Sequence, residues 1–197
     1  LATRARGMGS LVTITEVDPL KALEATMDGF DVMPMEEAIK IADIICTATG
    51  NKTVLGVGHF KKMRDGAILA NTGHFNVEFD YEGLVKIAKN RRLLRDSLEE
   101  ITLEDGKKIF VLGEGRLINL ASAEGHPPDV MDMSFANQAL AAESLVQNKN
   151  KLKAGVYTVP KELDDMIAKL KLESLGIKID TLTEEQKRYL VSWNEGT

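Results

Sequence analysis

The 197-residue chain is 44% hydrophobic and 28% charged, with a net charge of -5. That balance is ordinary for a soluble fold and excludes disorder as the main state, and the acidic sign excludes an electrostatic footprint for nucleic acid or anionic lipid. The single cysteine, Cys46, excludes a disulfide framework or thiolate metal site within the chain; His59, His74 and His126 lack zinc spacing, so no metal is expected, and no run of about 18 apolar residues is present to span a membrane.

The opening Leu1-Ala-Thr-Arg-Ala-Arg6 reads as the second half of a helix stopped at Gly7 or Gly9, without a signal-peptide layout. A chain already under way, and so a piece of a larger protein, is the expectation. The β-branched run Leu11-Val-Thr-Ile-Thr15 predicts a buried strand ended by Glu16. Pro19 suits a first helical turn, Leu20, Leu23 and Met27 recur at helical spacing, and Gly29 stops the helix. Residues 30–33 are strand-like and 35–42 a short helix. An apolar strand at 44–47 is followed by the loop Ala48-Thr-Gly-Asn51. A helical turn at 59–63 precedes a buried strand at 67–70 and a second small polar loop, Asn71-Thr-Gly-His74. The alternation predicts parallel βαβ units. Residues 81–88 continue as a helix with Leu84, Ile87 and Ala88 on one face. Segments 101–103 and 107–112 flank Glu104-Asp-Gly106, so an antiparallel hairpin closes the sheet. Residues 113–119 lead into a loop at Gly125-His-Pro-Pro128. Helices are then predicted over 129–147 and 163–175, with an extended link at 155–157 between them. A last helix follows the capping box Thr183-Glu-Glu-Gln186, and the chain stops at Asn194-Glu-Gly-Thr197. The fold class is α/β: a doubly wound, mostly parallel sheet of the Rossmann type over residues 1–125, lacking its first strand, with C-terminal helices over 126–197.

In such a sheet the second strand ends in an acid that accepts hydrogen bonds from a ribose diol and repels a 2′-phosphate, favouring NAD over NADP. Glu16 is placed for that role; a solvent-facing acid at a strand end is the alternative. The glycine-rich phosphate turn belongs about twenty residues earlier, ahead of this chain. So does the first strand, which would lie between 11–15 and 44–47. Buried backbone groups left unpaired there cost about 1–3 kcal/mol each, so another segment, from the same or another polypeptide, is expected to fill the slot. Ligands in open α/β sheets bind at strand carboxyl ends, where Thr47, Thr49 and Asn51 offer hydrogen bonds and small residues admit a ring, unless those residues simply make turns. His74 suits general acid/base work or a structural hydrogen bond. Asn119 could pair its amide with a carboxamide, and His126 sits in either a ligand loop or a rigid linker. His59 reads as structural, Cys46 as an inert core thiol, and Met27, Met33, Met35, Met131 and Met133 as packing.

Ile14-Thr-Glu-Val-Asp-Pro19, Thr47-Ala-Thr-Gly50, Asn71-Thr-Gly-His-Phe75, Glu114-Gly-Arg-Leu-Ile-Asn-Leu120 and Gly125-His-Pro127 with Met131 and Ser134-Phe-Ala-Asn-Gln138 together resemble the S-adenosyl-L-homocysteine hydrolase family. The order and spacing agree over essentially the whole chain. The resemblance implies the carboxyl-terminal half of a cytoplasmic, homotetrameric enzyme of the methyl cycle. In that family a tightly held NAD oxidises the 3′-hydroxyl of the substrate ribose, the ketone acidifies the 4′-hydrogen, and homocysteine leaves by elimination. Water then adds, and reduction gives adenosine. Carried over, Glu16 would bind the cofactor's adenosine ribose, and Thr47, Thr49, Gly50 and Asn51 would line the cofactor. Gly73 and His74 would face nicotinamide and substrate, and Asn119 would bond the carboxamide. Gly125 and His126 would contact substrate, with Met131 and Phe135 walling its pocket. The proton-transfer residues belong to the amino-terminal half, a partner this chain lacks, so the chain alone is expected to be inactive. Two departures stand out. Glu124 replaces a frequent methionine, which bears on the purine preferred. The usual carboxyl-terminal extension is missing, which implies looser NAD. A non-catalytic NAD-binding interaction module and a 2-hydroxyacid-type dehydrogenase are the rival readings; net NADH release separates the dehydrogenase from the hydrolase.

Overall fold

A computed structural model describes residues 1–193. The chain divides into two compact units, Leu1–Gly125 and a second beginning at His126.

The first unit opens with α1 (Ala2–Gly7) and the strand β1 (Thr13–Ile14). Helix α2 (Pro19–Met27) starts where Asp18 accepts hydrogen bonds from the Leu20 and Lys21 amides and Pro19 fixes the first turn. It ends at Gly29, whose φ of 78° only glycine adopts freely. Strand β2 (Asp31–Val32) then pairs parallel with β1. The predicted strand 11–15 is thus cut to two residues, because a ladder needs partners and β2 is the only strand beside it among the described residues. The predicted helix 35–42 is one turn, α3 (Met35–Ala38).

The main sheet contains β3 (Ile44–Thr47), β4 (Ala67–Asn71), β5 (Ala88–Arg95), β6 (Leu98–Leu103) and β7 (Lys108–Leu112), in the order β3-β4-β7-β6-β5. Strands β3, β4 and β7 pair in parallel, β6 runs antiparallel to β7, and β5 runs antiparallel to β6 and so in the direction of β7. Short α4 (Val57–Phe60) and α5 (Tyr81–Lys86) complete the crossovers. Leu69, Ile109 and Val111 from the central strands are fully buried against Phe60 and Leu84 from these helices. Burying each such side chain contributes about 1.5–3 kcal/mol. The predicted helix 81–88 stops at Lys86, and Ala88 already belongs to β5, a strand the sequence pattern does not announce. Lys89-Asn-Arg-Arg-Leu-Leu-Arg95 is mostly exposed and lacks alternation. Pairing with β6 through the turn Asp96-Ser97 imposes the strand, with Ser97 at φ 66° and irregularities between Ala88 and Asn90 and between Leu93 and Arg95. Strands β3 and β1 lie in separate sheets, and each has one side unpaired among the described residues.

After β7 the chain makes a 3-10 turn (Gly113–Gly115) and α6 (Ile118–Ala121). The second unit holds α7 (Pro128–Asn148), α8 (Lys161–Ser174) and α9 (Glu184–Leu190). Helices α7 and α8 pack antiparallel, with Lys171 Nζ 3.4 Å from Asp129 and 3.5 Å from Asp132, and Asn137 donating to Asp164 at 2.6 Å. The capping box predicted at Thr183 forms in full: Thr183 N donates to Gln186 Oε1 and Gln186 N to Thr183 Oγ1. The predicted chain end 194–197 lies outside the described residues. No helix among the described residues is long and apolar enough to cross a membrane.

Candidate functional site

The two small polar loops leave the carboxyl ends of β3 and β4, which pair in register with Thr47 opposite Asn71. Thr72 joins them, donating both its amide and its hydroxyl to the Thr47 carbonyl at 2.8 and 3.0 Å.

Asn71 is the junction of the region and is fully buried. Its Oδ1 accepts from the Thr47 hydroxyl at 3.0 Å and the Gly73 amide at 2.7 Å. Its Nδ2 donates to the carbonyls of Gly115 at 2.8 Å, Phe75 at 2.9 Å and, more distantly, Gly73 at 3.3 Å. One side chain thereby ties the loop after β3, the loop after β4 and the turn after β7. Those three segments carry Thr47 to Asn51, Gly73 with His74, and the approach to Asn119.

Glu78 is the second fixed point, 1% exposed. Its Oε2 accepts from the Thr49 amide and hydroxyl, each at 2.9 Å, and its Oε1 from the Gly50 amide at 2.8 Å. Gly73 is what lets the carboxylate in: a Cβ at that position would stand 1.9 Å from Glu78 Oε1. The sequence reading missed Glu78, and its only signal is an acid set between Val77 and Phe79.

The predicted site residues fall into three groups. Thr47, Thr49, Gly50, Asn51, Gly73 and His74 lie at the carboxyl ends of β3 and β4, and Asn119 follows on α6, two residues past Leu117, which bridges to Asn71. Within this group Thr47 is buried and gives its hydroxyl proton to Asn71, so its side chain serves the scaffold. Gly50 is exposed at φ 66°, with open space where a Cβ would stand. The Asn51 amide donates to Thr49 Oγ1 at 3.0 Å. His74 is exposed, its ring edge-on to Phe75 at 4.8 Å, and makes no hydrogen bond among the described residues. Asn119 lies on α6, its carbonyl accepting from the Gly125 amide at 2.9 Å, and its side-chain amide is uncommitted among the described residues. Glu16 stands apart, after β1 on the two-stranded sheet. Its Oε1 accepts from the Val17 amide at 2.6 Å and the Asp18 amide at 3.0 Å, and these bonds, Asp18 first, hold the carboxyl below its ordinary range. In the second unit exposed His126 leads into Pro127 and α7, where half-buried Met131 and exposed Phe135 are one turn apart. The remaining histidine, His59, caps α4 by accepting from the Gly56 amide at 3.0 Å.

These residues fit a dinucleotide. Gly50 leaves open space at the end of β3, an uncommitted amide at Asn119 can meet a carboxamide, and Glu16 Oε2 has no partner among the described residues to compete with a diol. Residues 1–125 match the family model described as S-adenosyl-L-homocysteine hydrolase, NAD binding domain. All 197 residues align with the adenosylhomocysteinases of Aquifex aeolicus at 59% identity, Saccharolobus solfataricus at 58% and Gloeobacter violaceus at 57%, covering 47%, 47% and 46% of those proteins. The chain therefore spans about half the length of the curated relatives it matches. With that sequence identity, a doubly wound sheet and dinucleotide-ready loops at its strand ends, the chain belongs to the S-adenosyl-L-homocysteine hydrolase family and carries that family's NAD-binding domain.

Proposed function

We propose that this chain forms part of a cytoplasmic, homotetrameric adenosylhomocysteinase that converts S-adenosyl-L-homocysteine reversibly into adenosine and homocysteine. The observation that carries this reading is the paired seat at the ends of β3 and β4, with an exposed and unpartnered His74 on its rim. Bound NAD supplies reversible hydride exchange at the 3′ carbon of the substrate ribose, which makes elimination and addition at the neighbouring carbons feasible. Glu16 accepts the hydroxyls of the cofactor's adenosine ribose and disfavours a 2′-phosphate. Thr49, Gly50 and Asn51 offer a small-residue wall to the cofactor, and Asn119 orients the carboxamide. Gly73 and His74 face nicotinamide and substrate, and His74 holds a proton at the substrate hydroxyl. Gly125 and His126 contact substrate, and Met131 and Phe135 supply apolar walls. The phosphate-binding turn and the groups that move the 4′-proton come from a partner segment, which also pairs a strand into the space between β1 and β3. The chain by itself is inactive.

The test is hydrolysis by the holoenzyme. Adenosine and homocysteine should form with no net NADH, since the cofactor returns to its oxidised state each turnover, and His74→Ala should lower kcat. Stoichiometric NADH release would overturn the reading in favour of a 2-hydroxyacid-type dehydrogenase. Binding of NAD without turnover would favour a non-catalytic module.

A further inference from the structure

Glu78 is a buried carboxylate with no cationic partner among the described residues, and every hydrogen bond its side chain makes goes to the 49–50 backbone or to the Thr49 hydroxyl. A side chain present only to fill space would be apolar, since burying a charged or polar group is costly unless its bonds are specific. The bonds are specific. The Thr49 and Gly50 amides, one residue apart, need two acceptors side by side, and each carboxylate oxygen takes one of them. Glutamine offers only one acceptor and would turn its NH₂ toward the other amide. The chain of bonds runs onward, because Thr49 Oγ1 donates to Glu78 and accepts from the Asn51 amide. The base of this bracket is itself clamped: the Val54 and Leu55 amides donate to the Glu78 carbonyl at 2.6 and 3.2 Å, and the Thr53 amide to the Val77 carbonyl at 2.8 Å. On the other side the carboxylate lies directly against Gly73, the residue before His74.

We propose that Glu78 is a positioning residue for the dinucleotide, setting the 49–51 backbone and the Gly73–His74 bend in one fixed relation without touching the ligand. The proposal rests on the reading that these loops seat NAD. The rival is a carboxylate that merely stabilises the fold.

The two separate in a binding measurement on the holoenzyme stripped of cofactor, with NAD itself as the probe in equilibrium dialysis. Glu78→Gln should weaken NAD by about tenfold or more, the factor that one misplaced buried hydrogen bond produces. Thr49→Val, which removes only the relaying hydroxyl, should weaken it by several-fold, and the double variant should be no worse than Glu78→Gln because both act through one loop. Ile109→Val, a core trim remote from the loops, serves as control and should lower the unfolding temperature while leaving NAD affinity unchanged. If Glu78→Gln behaves as Ile109→Val does, or if its effect and that of Thr49→Val simply multiply, the proposal is overturned. Should Glu78→Gln fail to fold, Thr49→Val decides alone, and unchanged NAD affinity in it overturns the proposal. A parent protein that binds no NAD overturns the cofactor reading and this inference together.

Discussion

Asn71→Ala removes the amide on which three segments converge. The substitution leaves the Gly73 amide and the Gly115 carbonyl, both buried, without the partners they meet at 2.7 and 2.8 Å. The Thr47 hydroxyl can rotate to another acceptor and the Phe75 carbonyl is near solvent, so neither adds much. Two stranded backbone groups at about 1–3 kcal/mol each give a loss of about 3 kcal/mol after some relaxation. At about 2–4 °C per kcal/mol, the unfolding midpoint of the cofactor-free domain should fall by about 6–12 °C. A local readout is sharper: exchange of the Gly73 amide hydrogen should accelerate by about a hundredfold, since each factor of ten corresponds to about 1.4 kcal/mol. Hydrogen exchange with mass detection over residues 68–78 measures it. Asn71→Asp adds a control with a sign. Its carboxylate would face three carbonyls, so the native state favours the protonated form that can still donate. The variant's carboxyl value is thus raised by folding, and its stability relative to the parent should be greatest in acid and fall as pH rises. Unchanged exchange at Gly73 in Asn71→Ala would refute the role given to this side chain.

Gly73→Ala should weaken NAD binding more than it lowers stability, because the added methyl must push the Glu78 carboxylate, 1.9 Å away, off the Thr49 and Gly50 amides; dialysis against NAD and thermal melting read the two effects. Tyr81 donates to Glu99 at 2.7 Å and accepts from Arg91 at 2.9 Å, and burial first, then Glu99, pushes its ionisation up to about 12. Its contribution to stability therefore holds below the ordinary value of 10.0 and is lost as pH rises from there toward about 12; an absorbance titration should show a late tyrosinate that Tyr81→Phe removes. The Glu16 carboxyl, lowered by the Asp18 and Val17 amides, should titrate below its ordinary range by carbon-detected NMR, so its turn survives mild acid and loosens only as pH falls through the lowered value. Glu16→Gln should narrow the preference for NAD over NADP in a binding comparison.

Much of the framework is legible in the residues because strand-end loops and caps are local events. Pro19 in the first turn, Gly29 after Met27, and the Thr183–Gln186 box each declare themselves within a few positions. The loops after β3 and β4 were visible for the same reason, as small polar residues following apolar runs. Strand β5 was hidden because its own sequence is cationic and exposed, and only β6 supplies the pairing. Asn71 stood in a recognised loop, but its partners Thr47 and Gly115 are 24 and 44 residues distant, so its bracing role is a property of the folded chain. Glu78 looks like any acid until Gly73 and Thr49 close around it.

The two margins of the main sheet differ. Along β5, Lys89, Arg91, Arg92 and Arg95 and two register irregularities discourage a further strand from docking. Along β3 the residues Ile44, Ile45 and Cys46 offer neither charge nor bulge, and Ile44 is 64% exposed. Growth of the sheet is therefore one-directional. With that margin open, the chain presents an adhesive rim to its own copies, so clumping should propagate from β3 rather than from β5. The strand that carries the loop at residues 48–51 is thus also the open margin of the sheet.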